Sequence, residues 1–245
     1  MRYGVSIGLM LVALTCAAQD GMAAKGPKKS QPMPTKPPVP GKTYSWSFQA
    51  DTLGQKPAYT VAFGGTWQVI EDPASSGATG TTAASPELAA NGESAQRFLT
   101  QSDGEDGIAY HYLTFTRPFL ADLDASVRFR IKSGEMDPSA GLLFQMDPKG
   151  TSGYLVRVSG KSGEIAFHYL LYGKRRDVKY AKIDPPTSGT WHTLAIERRG
   201  TVLRASYDGS VLLTVRDDRF SKGNIGVWSE DDTLVDFADL TATAR

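Results

Sequence analysis

The residues with the most chemical potential lie in the second half of the chain and carry cationic, acidic, amide, imidazole and aromatic side chains. They are Gln145, Arg157, His168, Tyr172, Arg175 and Asp177. A sugar presents apolar C–H faces and hydroxyl groups, so protein sites for sugars pair flat aromatic rings with charged or amide side chains. These residue types therefore predict a carbohydrate-binding site on a concave sheet face, and no catalytic residue is assigned.

His168 has two interpretations. Its imidazole could hydrogen-bond a sugar hydroxyl or act as a base, but a base needs an orienting acid, and Glu164 lies too far along the strand. We therefore interpret His168 first as a solvated surface histidine. Tyr172 and the two arginines are as well explained as outer-face residues without a ligand. The run Lys174-Arg175-Arg176 is interpreted as a solvated hairpin tip.

An acidic run, Glu230-Asp231-Asp232, follows Trp228 and invites an active-site interpretation. It lies between two segments, Val227-Trp228 and Val235 to Phe237, whose β-branched and aromatic residues are typical of strands. Acidic residues between two strands are common turn residues. We therefore interpret the three acids as a solvated turn.

No residue spacing in the chain is typical of a metal site. The three histidines His111, His168 and His192 are far apart, and the chain has no Gly-rich phosphate loop or serine elbow. Asp236 and Asp239 could contribute to a structural calcium site. Alternation along a regular strand points these two to opposite faces, so we expect unpaired surface acids instead. We predict no metal and no cofactor, with structural calcium as the alternative.

From residue 44 onward the chain consists of short apolar or alternating runs broken by Gly, Pro, Asp and Ser, without a helical apolar stripe. The predicted strands are 44–48, 67–71, 108–115, 125–131, 141–145, 154–159, 164–172, 175–181, 191–197, 202–207, 210–215, 224–229 and 233–242. Residues 74–91, rich in small side chains, predict a long surface loop. The fold class is therefore all-β, and Trp67, Trp191 and Trp228 are expected in the core.

One hairpin assigns the faces of its strands. If the turn at 160–163 pairs Ser159 with Glu164, alternation gives two unlike faces. The apolar face, expected in the core, carries Tyr154, Val156, Val158, Ile165, Phe167, Tyr169 and Leu171. The other carries Leu155, Arg157, Ser159, Glu164, Ala166, His168, Leu170 and Tyr172, joined after the turn at 173–174 by Arg175, Asp177 and Lys179. A one-residue slip would bury charged groups without partners.

The N-terminal part of the chain predicts export. Arg2 precedes an apolar run from Val5 to Ala13 that is too short to span a bilayer, and small residues follow, so residues 1–24 are interpreted as a signal peptide. Residues 25–42 form a basic Pro-rich linker, and residues 43–245 form the folded domain. Lipidation of Cys16 is less favoured because Leu14-Thr15 matches the lipoprotein motif poorly. We expect a periplasmic or extracellular protein with no transmembrane segment in the mature chain.

The charge of the folded part does not favour nucleic acid as a partner. Residues 43–245 hold 21 of the 27 basic and 25 of the 26 acidic side chains, which leaves a net charge of −4. Nucleic-acid binding usually needs a basic surplus. The expected partner is a carbohydrate or cell-envelope polymer.

Four segments, 126–158, 170–176, 191–215 and 220–240, resemble the concanavalin A-like lectin/glucanase superfamily. Within it, the chain is similar to exported bacterial laminin G-like and 3-keto-disaccharide hydrolase-like domains. The resemblance covers about residues 44–244 and implies a jelly-roll β-sandwich of two antiparallel sheets. The glucanase branch carries an E-x-D-x-x-E strand, and the acidic stretches at 71–72, 135–137 and 230–232 lack this spacing. A retaining glucanase is therefore disfavoured.

Three functions remain open from the sequence. The first is an exported, non-catalytic module that binds carbohydrate or an envelope polymer. The second is a glycoside hydrolase of the 3-keto-disaccharide hydrolase type, which the resemblance alone implies. The third is an adhesion module that holds a protein partner. For the first, replacing Arg157 and Tyr172 with alanine is expected to abolish ligand retention and leave thermal stability nearly unchanged.

Overall fold

Strands and turns make up the part of the chain that the computed structural model describes, residues 38–72, 96–104 and 110–245. The strands are β1 (Thr43–Trp46), β2 (Thr60–Phe63), β3 (Trp67–Glu71), β4 (Arg97–Gln101), β5 (Tyr110–Phe115), β6 (Leu123–Ser133), β7 (Ser139–Met146), β8 (Gly153–Ser159), β9 (Glu164–Leu171), β10 (Lys174–Lys182), β11 (His192–Arg199), β12 (Val202–Tyr207), β13 (Ser210–Arg216), β14 (Asn224–Glu230) and β15 (Leu234–Ala244). Within these residues no helix is long and apolar enough to cross a membrane. The predicted signal peptide, linker residues 25–37 and the predicted loop 74–91 lie outside the described residues.

The strands form two sheets. The eight-stranded sheet has the order β13-β12-β11-β6-β15-β4-β3, with β1 also paired to β15, and the seven-stranded sheet has the order β10-β9-β8-β7-β14-β5-β2. The strand pairings within both sheets are antiparallel. Packed face to face, the sheets form an all-β sandwich, which confirms the predicted fold class.

Apolar residues at alternate positions fill the space between the sheets. In β6, Val127 and Phe129 point inward and are buried, whereas the intervening positions are partly exposed. The core also contains five members of the predicted apolar face, Tyr154, Val156, Val158, Ile165 and Phe167, with Tyr169 packed against it. Leu171 at the end of that face is 40% exposed. Each large side chain buried there contributes about 1.5–3 kcal/mol of transfer free energy, which fixes the face assignment.

The three tryptophans expected in the core occupy different environments. Trp67 belongs to the core between the sheets, as predicted. Trp228 is buried in a second apolar cluster that also contains Leu143, Met146, Leu155 and Leu170. The prediction for Trp191 is wrong: it is partly exposed, and the guanidinium carbons of Arg128 and Arg130 lie 4.9 and 4.6 Å from its ring centroid. This cation–π stacking replaces apolar burial.

The two acids considered for calcium are both paired with basic side chains. Asp236 is fully buried and lies 2.9 Å from Arg130 and 2.8 Å from Lys132, while Asp239 lies 2.9 Å from Arg128. A register shift between Ala238 and Thr241 interrupts the alternation on which the opposite-face prediction depended. The expectation of unpaired surface acids is therefore wrong. Among the described residues, no group of three or more His, Cys, Asp or Glu side chains could hold a metal ion.

Candidate functional site

The outer face of the seven-stranded sheet carries most of the predicted site residues. Across β8 and β9, Ser159 lies opposite Glu164 and Arg157 opposite Ala166, which confirms the predicted register. Inward-pointing residues of these strands occupy the core, so alternation brings Arg157 to the outer face. The site is thus positioned by the same apolar pattern that folds the sheet.

Arg157 is the centre of a buried polar network, and its side chain is only 8% exposed. Its Nη1 donates to Asp137 Oδ2 and to Ser139 Oγ, both at 2.9 Å, and lies 2.9 Å from Glu230 Oε1. Its Nε donates to His168 Nε2 at 3.3 Å. Charge-assisted contacts on two sides hold the guanidinium in one position.

Glu230 connects Arg157 to a second arginine. Arg175 Nη1 donates to Glu230 Oε2 at 2.5 Å, and the Arg175 guanidinium lies 5.4 and 5.6 Å from the ring centroids of Tyr110 and Trp228. Burial raises the pKa of Glu230, and the two arginines oppose this rise. The solvated interpretation is therefore wrong for Glu230, and also for Arg175 at the predicted hairpin tip.

The two acids after Glu230 are structural as well. Asp232 accepts hydrogen bonds from the backbone N–H groups of Glu135 and Met136, at 2.6 and 3.1 Å. Asp231 is 9% exposed, and its carbonyl accepts a hydrogen bond from His111 Nε2 at 3.0 Å. The prediction of a solvated acidic turn is therefore wrong. Hydrogen bonds from Glu135, Met136 and His111 hold this turn in place, and Glu230 immediately precedes it at the end of β14.

His168 is buried and oriented by an acid. It is 3% exposed, lies opposite Asp177 across β9 and β10, and its Nδ1 lies 2.9 Å from Asp177 Oδ1. Because Nε2 accepts from Arg157, Nδ1 carries the proton and donates to Asp177. Burial, with Arg157 and Arg175 adding to it, lowers the pKa of His168 to about 4, although Asp177 opposes the shift. The interpretation as a solvated histidine without an orienting acid is therefore wrong.

An open cleft of about 530 Å³ lies above this network. Its lining residues are Arg157, Glu164, Ala166, His168, Arg175, Asp177, Val178, Lys179 and Tyr180. Tyr180 lies opposite Ala166 and is 65% exposed, and the Asp177 side chain is 88% exposed. Across β8, β9 and β10, the small residue Ala166 lies between Arg157 and Tyr180. The cleft therefore combines a charged floor with one accessible aromatic ring.

Two predicted site residues lie away from this cleft. Gln145 is 2% exposed; its Nε2 donates to the Ala121 carbonyl at 2.9 Å, and its Oε1 accepts from Arg198. Tyr172 is 82% exposed in the β9–β10 turn and does not line the cleft. Gln145 was wrongly predicted because its backbone has a φ of 51°, which interrupts the regular alternation of β7.

A β-bulge also changes the prediction for Lys179. The β9–β10 register shifts between Asp177 and Lys179, so Lys179 lies opposite the core residue Phe167. Its Nζ donates to the Thr214 carbonyl of β13 at 3.2 Å. The prediction that Lys179 shares the face of Asp177 is wrong, and Tyr180 takes that place.

Sequence reasoning missed Asp137, Glu230 and Tyr180 as site residues. Asp137 and Glu230 reach Arg157 only because β7 lies between β8 and β14, an order that a local pattern does not contain. The available signal was Arg157 itself, because a buried arginine requires carboxylate partners. For Tyr180 the sequence offers no such signal, because regular alternation places it on the face opposite Asp177 and only the bulge in β10 brings it to the cleft.

The comparisons with known proteins show the fold. No protein-family profile and no curated protein sequence matches the chain. Among solved structures, it is similar to the carbohydrate binding module CBM66 from Bacillus subtilis, with 19% identity and a TM-score of 0.58, over 76% of this chain and 96% of that one. This similarity shows the jelly-roll β-sandwich fold.

Two other solved structures overlap less well. One is a Bacillus subtilis protein of unknown function with a galectin-like fold, with 14% identity and a TM-score of 0.47, over 60% of this chain and 84% of that one. The other is the Ca²⁺-bound exoplasmic/lumenal domain of VIP36, with 11% identity and a TM-score of 0.49, over 62% of this chain and 79% of that one. The narrower resemblance to laminin G-like and 3-keto-disaccharide hydrolase-like domains stays a prediction.

Proposed function

We propose that the protein binds carbohydrate in the cleft above Arg157 and His168. One observation carries the proposal: a buried, hydrogen-bonded network of charged groups forms the floor of an open cleft beside the exposed Tyr180 ring. Sugar hydroxyls need fixed polar partners, and a sugar C–H face packs on a flat ring. The cleft offers both.

The cost of the network supports a functional role. Removing Arg157 and Glu230 from water costs several kcal/mol per ion, and apolar residues of similar size often stabilise such a position better. A buried network beneath a solvent-accessible cleft is therefore better explained by ligand recognition than by stability. The fold similarity to a carbohydrate binding module agrees with this, as an analogy at the level of the fold.

The carboxylates at the cleft favour binding over glycoside hydrolysis. Asp137 and Glu230 each have an oxygen 2.9 Å from the same Arg157 nitrogen, so these two oxygens are at most twice that distance apart. Hydrolysis needs one accessible acid that protonates the leaving group and one carboxylate that attacks or activates water. Here Glu230 is 4% exposed and both carboxylates are engaged by arginine. We also propose, from the N-terminal leader, that the protein is exported.

Replacing Tyr180 with alanine is expected to weaken glycan binding about tenfold, because the aromatic packing surface is lost. Thermal stability should be nearly unchanged, since the side chain is largely exposed. Tyr172→Ala is the matched control, because Tyr172 is exposed in the adjacent turn but does not line the cleft. Titration calorimetry would measure both; equal losses for the two variants would contradict the assigned site.

A glycan array probed with the full chain tests the function itself. We expect retention of a subset of glycans, which Tyr180→Ala reduces, and no shortened product when the retained glycan is incubated with the protein. Release of product would replace the proposal with glycoside hydrolysis. No retention of any glycan, together with capture of one protein from envelope extract, would favour the adhesion function.

A further inference from the structure

We propose that the cleft selects neutral glycans and excludes glycans built from uronic acids. This inference rests on the proposed carbohydrate binding and concerns the charge of the ligand. It depends on which charged groups of the cleft are already paired within the protein and which can still bind a ligand.

The cationic groups of the cleft are already neutralised. Arg157 Nη1 is bound by Asp137, Ser139 and Glu230, and Arg175 Nη1 is bound by Glu230. The Arg175 guanidinium also packs against two aromatic rings. The charges of the two guanidinium groups are thus balanced by Asp137 and Glu230, and a ligand carboxylate would add uncompensated negative charge beside them.

Two carboxylates that line the cleft, those of Glu164 and Asp177, have oxygens available as hydrogen-bond acceptors. The Asp177 side chain is 88% exposed, and only its Oδ1 is engaged, by His168. Glu164 has its two oxygens 3.9 Å from Arg157 and 3.8 Å from Lys182, distances beyond a hydrogen bond. Ionised carboxylates only accept hydrogen bonds, so they suit the hydroxyl donors of a sugar.

The charge balance of the site points the same way. The acids are Asp137, Glu164, Asp177 and Glu230, and the cations are Arg157, Arg175 and the more distant Lys182, since the Lys179 ammonium is bound to the Thr214 carbonyl of the other sheet. His168 is neutral above its lowered pKa. The cleft thus has no surplus positive charge, and a uronate would lie beside Glu164 and Asp177, the two acids that line the cleft. Like charges in a binding site reduce affinity and provide specificity.

Matched oligosaccharides test the inference on the full chain. Galactose and galacturonate oligomers of equal length, and the corresponding glucose and glucuronate oligomers, differ only in a CH₂OH or carboxylate group at C6. We expect calorimetry to show that a neutral oligomer binds at least about tenfold more tightly than its acidic counterpart at low salt. Higher salt should narrow the difference.

The double variant Glu164→Gln/Asp177→Asn removes the charges of the two acids that line the cleft and keeps the side-chain shapes. It is expected to reduce the neutral-to-acidic affinity ratio about tenfold. Glu197→Gln is the matched control, since Glu197 is 48% exposed and lies on β11 of the other sheet. It should leave the ratio unchanged.

The outcomes separate this inference from the function on which it rests. If uronate oligomers bind the wild-type chain as tightly as the neutral ones, neutral selection is wrong and carbohydrate binding stands. If the double variant and the control keep the same ratio as the wild type, selection does not come from these acids, and the inference is equally overturned. If neither class binds, and the glycan array retains nothing, the proposed function itself fails.

Discussion

Replacing Arg157 with alanine is expected to lower the free energy of unfolding by about 3–5 kcal/mol, the usual cost of breaking a buried ion pair by removing one partner. The substitution leaves Asp137 and Glu230 facing each other without their shared cation. Domains are typically stable by only about 5–15 kcal/mol, so the loss should be evident in denaturant unfolding. The sequence alone predicted little change in stability, and the burial of Arg157 reverses that expectation.

An exposed ion pair provides the control for this substitution. Arg204 Nη1 lies 3.5 Å from Glu197 Oε2 on the other sheet, with side chains 50% and 48% exposed. Arg204→Ala is expected to cost at most about 1 kcal/mol, because water screens an exposed pair. If Arg157→Ala costs no more than Arg204→Ala, the network beneath the cleft is solvated, contrary to the structure.

A double-mutant cycle identifies the origin of the loss. Adding Glu230→Gln to Arg157→Ala removes one of the two orphaned carboxylate charges. The double variant should therefore lose less stability than the two single variants together. Additive losses would attribute the effect of Arg157→Ala to lost packing instead of uncompensated charge.

The two sheet faces were predictable because burial follows a period of two. The hairpin of β8 and β9 has the predicted register, and its inner residues form the core. This pattern assigned Arg157, His168, Arg175 and Asp177 to one outer face. All four line the cleft. Local alternation is enough for this assignment because a slip of one residue would exchange the two faces.

Two strands were missed for different physical reasons. β2 is a four-residue edge strand with two exposed positions, so its apolar pattern is too short to recognise. β4 ends in the buried polar residues Thr100 and Gln101. Their side chains donate to the carbonyls of Val235 and Thr233, at 3.5 and 3.2 Å. Thr100 and Gln101 can be buried because these hydrogen-bond partners, more than 130 positions away in the sequence, satisfy their polar groups.

The errors at the site arise where a strand departs from regular alternation or where the contacts are distant in sequence. The β10 bulge exchanged Lys179 for Tyr180, and the positive φ of Gln145 removed that residue from the face. The pairing of Glu230 with Arg157 joins residues on strands that are not adjacent in the sheet. Neither a bulge nor a long-range ion pair leaves a periodic signal in the sequence.

The stability of the protein is expected to fall as the pH decreases from about 6.5 to about 4, because folded His168 resists protonation. Its pKa is lowered from 6.5 to about 4, first by burial and then by Arg157 and Arg175. The unfolded chain binds the proton at the higher pH, so His168 contributes its full stability above pH 6.5 and loses it towards pH 4. The difference amounts to roughly 3 kcal/mol.

His168→Gln isolates this effect, since glutamine retains hydrogen-bonding groups but does not titrate. Glu230 acts in the opposite direction: its pKa is raised on folding, so its contribution to stability decreases as the pH rises. For that reason the quantity to compare is the difference between wild-type and His168→Gln unfolding free energies at each pH. That difference should shift by roughly 3 kcal/mol across the window. Parallel curves would mean that His168 titrates alike in the folded and unfolded chains, and that the Asp177–His168–Arg157 contacts do not hold the imidazole neutral.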